Sequence, residues 1–185
     1  MALEVFSSTA SATQLNSIAR QVVITCTSST RPSSPDEGMC IYETDTDRVL
    51  VWDASAWRIV REPSQSWTPA VTQSVAVTCT VTRAMYHRFG PVVYASCDLA
   101  ITGSGTTANA IAVSLPVAAA DANDVHGQFV IVDASAANYA GSIYPSSTTA
   151  VTFVCDAQTS LVGAAPAFGL ASGDRVRFDV TYRYF

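Results

Sequence analysis

Apolar and polar residues alternate at period two along most of this chain. Val75, Val77, Cys79 and Val81 alternate with Ser74, Thr78, Thr80 and Thr82, and Val93, Ala95, Cys97, Leu99 and Ile101 alternate with Tyr94, Ser96 and Asp98. Further strand-like runs are AIAVSL, GQFVIV, GSIYP, AVTFVC and RVRFDVTYRYF, separated by turn clusters such as TGSGTTAN, DANDVHG and YPSSTT. Seven or more short antiparallel strands predict a β-sandwich over residues 70–185. Two of the runs are apolar on both phases or sharply two-faced. In QFVIV, Phe129 and Ile131 share one face and Val130 and Val132 the other, so both faces need cover; in the closing run Val176, Phe178, Val180 and Tyr182 oppose Arg177, Asp179 and Arg183.

The first third reads differently. Residues 9–21 carry a helical pattern: Ser11 as cap, Gln14 three residues on, and a narrow stripe of Leu15, Ile18 and Ala19. So short a helix is marginal alone and must dock, which makes Leu15, Ile18 and Ala19 candidate attachment residues. A strand, QVVITCT, and a turn-rich stretch follow. Residues 37–57, EGMCIYETDTDRVLVWDASAW, then read as a three-strand meander: Met39, Ile41, Val49, Val51 and Trp57 alternate with more polar neighbours, and residues 44–47 and 53–56 supply turns. A sheet so small needs a packed apolar face, for which Tyr42, Trp52 and Trp57 are the candidates. The segment EPSQSWTP holds two prolines and reads as a linker, giving the division 1–62, 63–69 and 70–185.

Composition narrows the function classes. The chain has 185 residues, 49% of them hydrophobic and 14% charged, with a net charge of −5. That is enough apolar material for a real core. All ten basic residues are arginines and they are scattered, so no nucleic-acid partner is expected. No apolar run reaches the ~20 residues of a membrane span and the start lacks a secretory pattern, so synthesis in a cytoplasm without membrane insertion is expected. The five cysteines form no C-x-x-C pair, and Cys79, Cys97 and Cys155 sit in phase with apolar neighbours, as small buried hydrophobes do.

The acidic run in the meander invites a calcium reading that fails on spacing. With Glu43, Asp45 and Asp47 as loop positions one, three and five, Arg48 stands where glycine is needed and Ala54 where the closing glutamate belongs. His126 beside Asp121 and Asp124 reads as a solvated loop, and GSGTT lacks the lysine of a phosphate-binding loop. With no metal, cofactor or nucleophile motif, and no acid inside an apolar run, a non-enzymatic protein is expected. Tyr139 and Tyr144 lie near turn clusters and are the candidate ligand or host contacts, since exposed aromatic rings suit sugars.

The segment Thr30 to Trp57 resembles a module found in bacteriophage tail and fibre proteins, particularly of actinobacterial phages. Arg31, Pro32, Pro35, Gly38, Ile41, Tyr42, Thr44, Asp45, Trp52 and Trp57 carry the resemblance, and Ala54 departs from it, standing where glycine is commoner. YHRFG, IAVSLP, NYAG and LASGDRVRFDVTY in the last two thirds are similar to the jelly-roll heads of such proteins, themselves like trimeric C1q and tumour-necrosis-factor heads. The resemblance implies a homotrimeric virion protein without cofactors, made in the bacterial cytoplasm. Its N-terminal region would attach to other tail or capsid proteins, as a short tail fibre or receptor-binding minor tail protein or, alternatively, as a capsid decoration or head-fibre protein. A carbohydrate-binding module or glycan hydrolase of the tail is the further alternative, and a host cell-surface glycan the implied outside partner.

Overall fold

Period-two alternation produces a mainly β protein, described by a computed structural model over residues 23–155 and 160–185. The predicted helix with Leu15, Ile18 and Ala19 lies outside the described residues. Two compact units divide after Pro63. Among the described residues no helix is long and apolar enough to cross a membrane.

The first unit holds β1 (Ile24–Cys26), β2 (Cys40–Glu43), β3 (Arg48–Trp52) and β4 (Trp57–Arg61). β2, β3 and β4 are the antiparallel meander, and β1 pairs parallel to β2. Because RVLVW is apolar on both phases, alternation alone does not say which phase turns inward. The register does: Ile41 faces Leu50, Leu50 faces Ile59, and Trp52 faces Trp57, so these residues share one side. Ile41 and Leu50 are buried, and the tryptophan rings meet at 5.5 Å. Val49 and Val51 lie on the other side, with Tyr42, whose hydroxyl donates to Asp47 at 2.6 Å.

The second unit contains β5 (Gln65–Ser66), β6 (Val71–Gln73), β7 (Val75–Val77), β8 (Cys79–Phe89), β9 (Val92–Ile101), β10 (Ala112–Ser114), β11 (His126–Val132), β12 (Asn138–Pro145), β13 (Ala150–Cys155) and β14 (Arg175–Arg183). The segment read as a linker is not free chain: β5 pairs with β8, and the Trp67 backbone N–H donates to the Ala84 carbonyl. The other strands follow one hydrogen-bonded path, β8-β9-β14-β11-β12-β13-β10-β6-β7. Laid flat, nine strands at about 4.8 Å spacing would separate the edges by roughly 38 Å. β7 and β8 are joined by Thr78 alone, a reach of at most about 7.6 Å. The sheet therefore curls round its own core into a sandwich-like body.

β11, β12 and β13 form a hairpin meander, with β10 returning beside β13 and β14 beside β11, both Greek-key connections. A jelly roll is one way of combining Greek keys; the coarser description, a Greek-key sandwich-like fold, is the one the strand path gives. Inside, Phe129 and Phe178 lie opposite each other on β11 and β14, and the Phe153 ring touches both at 4.9 and 5.8 Å. Val176, Phe178, Val180 and Tyr182 are all buried, as the alternation of β14 predicts.

The run from Val75 to Val81, regular in sequence, is broken in space. Ser74 takes a positive φ of 66° between β6 and β7, so the buried phase of Val71 and Gln73 does not carry through to Val75, which is exposed. Gln73 instead ties the loops together. Its side chain is 0% exposed; the amide nitrogen donates to the Asn109 and Phe168 carbonyls at 3.0 and 2.7 Å, and the amide oxygen accepts from Leu170 N–H at 2.8 Å. Gly105 is glycine because a Cβ there would lie 2.0 Å from that same oxygen. The glycines of GSGTT thus serve packing. In the SGD turn before β14, Gly173 takes a φ of 104°, and the buried Asp174 carboxylate accepts from Ala171 N–H and Ala134 N–H at 2.8 and 2.9 Å.

Candidate functional site

Two places concentrate polar chemistry. In the first unit, the acidic run is consumed by its own fold. Asp45 accepts from both the Ser28 N–H (2.9 Å) and hydroxyl (2.5 Å), which hold its carboxyl below the usual range. Glu43, fully enclosed, accepts from Arg31 Nε and from Thr46 Oγ1 at 2.6 Å. Burial pushes the Glu43 carboxyl up, but these two hydrogen bonds and the arginine charge outweigh it, and the net direction is down. Beside it, buried Glu62 accepts from Arg48 at 3.1 Å. In the β3–β4 turn, Asp53 Oδ1 gathers Ser55 N–H, Ser55 Oγ and Ala56 N–H within 2.9 Å, and Arg58 binds Oδ2 at 2.6 Å. These acids hold turns. Among the described residues no group of histidine, cysteine or acid is placed to hold a metal ion.

The second place is the outer face of β8, β9, β14, β11 and β12. Direct opposition across antiparallel strands puts side chains on one side, so the register reads off rows. One row runs Arg83, Asp98, Arg177, Val130, Ala140; the next runs Met85, Ser96, Asp179, Gln128, Ser142. Where the small residues Ala140, Gly141 and Ser142 meet the arginines, the face sinks into a depression of about 490 Å³. Arg175 grips both oxygens of Asp98 at 2.8 and 2.9 Å, Arg177 lies 3.4 Å from the same carboxylate, and Tyr94 donates to Asp179 at 2.9 Å. Arg177 and Asp179, on the charged face of the closing run, thus have partners within the chain.

Comparison with protein-family models, with curated proteins and with solved structures returns no match. The site must be read from its own chemistry.

The residues singled out from sequence divide between packing and surface. Trp52 and Trp57 lie on the Ile41 side of the meander and Tyr42 on the other. Tyr139 stacks on Phe168, centroids 4.6 Å apart and planes 10° from parallel, so one of its ring faces is taken. Tyr144 is 58% exposed, two positions beyond Ser142 on β12. His126 is exposed on β11, and Asp121 caps the 3-10 turn Ala122–Asp124 through its side chain. Arg83, Gln128 and Ser142 were not singled out. Alternation marks them as outward-facing, but only the strand order reveals that three distant segments bring them together.

Proposed function

We propose that this chain is a non-enzymatic structural protein of a bacteriophage virion: a short tail fibre or receptor-binding minor tail protein, attached through its N-terminal region and exposing a trimeric head. One observation carries the reading. The stretch that resembles the tail module, Thr30 to Trp57, falls within the first compact unit, and a larger sandwich-like unit follows it. A homotrimer is supported by exposed apolar residues at the end of the β8–β9 hairpin, where Phe89 is 67% exposed and Phe185 43%, with Tyr184 N–H bound to the Pro91 carbonyl. The second reading is a capsid decoration or head-fibre protein that binds and stabilises the phage shell.

Gold-labelled antibody against the chain, imaged on intact virions of the phage that encodes it, tests both. Label at the tail supports the first reading and label over capsid faces the second; virions without label would remove both.

A further inference from the structure

Asp98 is the one carboxylate in its cross-sheet row and it is spoken for. Arg175 engages both of its oxygens and Arg177 approaches at 3.4 Å, so two guanidiniums share one acid. Arg83, directly opposite Asp98 on β8, has no hydrogen-bond or ion-pair partner among the described residues. The strand is bulged between Val81 and Arg83, a device that re-aims side chains at the bulge. The face thus carries Arg83, Arg175 and Arg177 against Asp98 and Asp179, a local excess of positive charge on a chain of net charge −5.

We propose that the depression on this face binds an anionic saccharide, with the acidic group against Arg83 and Arg177 and hydroxyls against Gln128, Ser142 and Asp179. The inference rests on the receptor-binding reading and names its ligand class. Planar guanidiniums suit carboxylate and phosphate oxygens. Gln128 and Ser142 can both donate and accept, and Asp179, whose Oδ1 is taken by Tyr94, keeps a second oxygen as acceptor, a set that fits adjacent sugar hydroxyls. The volume of about 490 Å³ lies within the range of small-ligand sites, roughly 300–1,000 Å³. No aromatic ring presents its face among the outward-facing residues of the two rows, so recognition here is polar and salt-sensitive.

The test uses the full chain and three probes at millimolar concentration: an oligoglucuronate, an oligo(glycerol phosphate) and a neutral glucan of similar length. At least one acidic probe binds and the neutral one does not; which acidic probe wins distinguishes carboxylate from phosphate. Arg83→Gln weakens binding about tenfold or more, the scale of losing a charge-assisted hydrogen bond. Ser142→Tyr, which fills the depression, abolishes it. Because Arg83 is exposed and unpartnered, its variant keeps the wild-type melting temperature. Equal binding of the neutral glucan, no binding of either acidic probe, or indifference to both substitutions overturns the proposal. So does a fall in oligomer mass on Arg83→Gln, which would make the face a subunit contact. A chain found in virions that binds no acidic probe sinks this inference alone; one that binds but is absent from virions sinks the virion reading alone.

Discussion

Gln73 and Leu170 stand 97 residues apart in the chain and 2.8 Å apart in space, the amide oxygen of one accepting the backbone N–H of the other. The same side chain satisfies the Asn109 and Phe168 carbonyls, so one glutamine pins the loop after β9 and the loop before β14 to β6. Gln73→Ala strands a buried donor and leaves two carbonyls short, at about 1–3 kcal/mol for each group left unsatisfied. A loss of about 3 kcal/mol or more in urea unfolding is expected. A loss under 1 kcal/mol would mean the loops hold without the knot.

Acid should attack the first unit through Glu43 and Asp45. Both carboxyls sit below their ordinary values in the folded chain. The stability they lend is therefore complete above the unfolded carboxylate range, about pH 4, and is lost as pH falls through the lower folded values. With Trp67→Phe removing the tryptophan of the second unit, fluorescence of Trp52 and Trp57 reports the first. The signal should hold from neutral pH down to about 5 and change below about 4. Glu43→Gln should lower stability at pH 7 and flatten the acid dependence; an unchanged profile would rule these pairs out as its source.

Ala54 occupies a glycine conformation. Its φ is 70°, which costs an L-residue roughly 1–2 kcal/mol, and the bonds gathered by Asp53 hold the turn closed over it. Ala54→Gly relieves that cost and adds about 0.4–1 kcal/mol of unfolded-state entropy. A net gain of about 0.5–1 kcal/mol is expected on thermal or urea unfolding, and a loss would contradict the strain.

No disulfide joins the five cysteines. Cys97 is buried on β9, and that burial, reinforced by Cys79 nearby, pushes its thiol up to about 12. Since the thiolate is the reactive form, iodoacetamide at pH 8 should leave Cys97 unmodified in the native chain and alkylate all five in urea. Native labelling of Cys97 at the rate of the others, read by peptide mass spectrometry, would refute its enclosure.

If the proposed trimer forms, light scattering on the full chain at micromolar concentration should give three times the 19.5 kDa chain mass. Phe89→Ser, at the exposed hairpin end, should lower that mass without altering the melting of the monomer. A monomer mass for the wild-type chain would remove the assembly argument.

The meander and the strands of the second unit were legible because period-two alternation reports one strand at a time. β14 shows this best, its buried and exposed residues falling as the sequence alternates. In β3 the same signal was ambiguous: Arg-Val-Leu-Val-Trp is apolar on both phases, and only pairing with Ile41 selects Leu50 as the buried member. The role of Gln73 leaves no local signal, because its three partners lie 36 to 97 residues away. The depression with Arg83 was hidden for a similar reason: β8, β12 and β14 share a face only after the curl of the sheet has chosen their order.

That order also has a consequence for synthesis. β14 is the last strand of its unit to leave the ribosome, yet it lies between β9 and β11. Until it emerges, both neighbours present unpaired backbone to whatever is near, and the Phe129 and Phe153 rings lack their Phe178 partner. The second unit therefore cannot complete itself while still being translated. Its folding waits for residue 183, and in the interval the facing edges of β9 and β11 stay open.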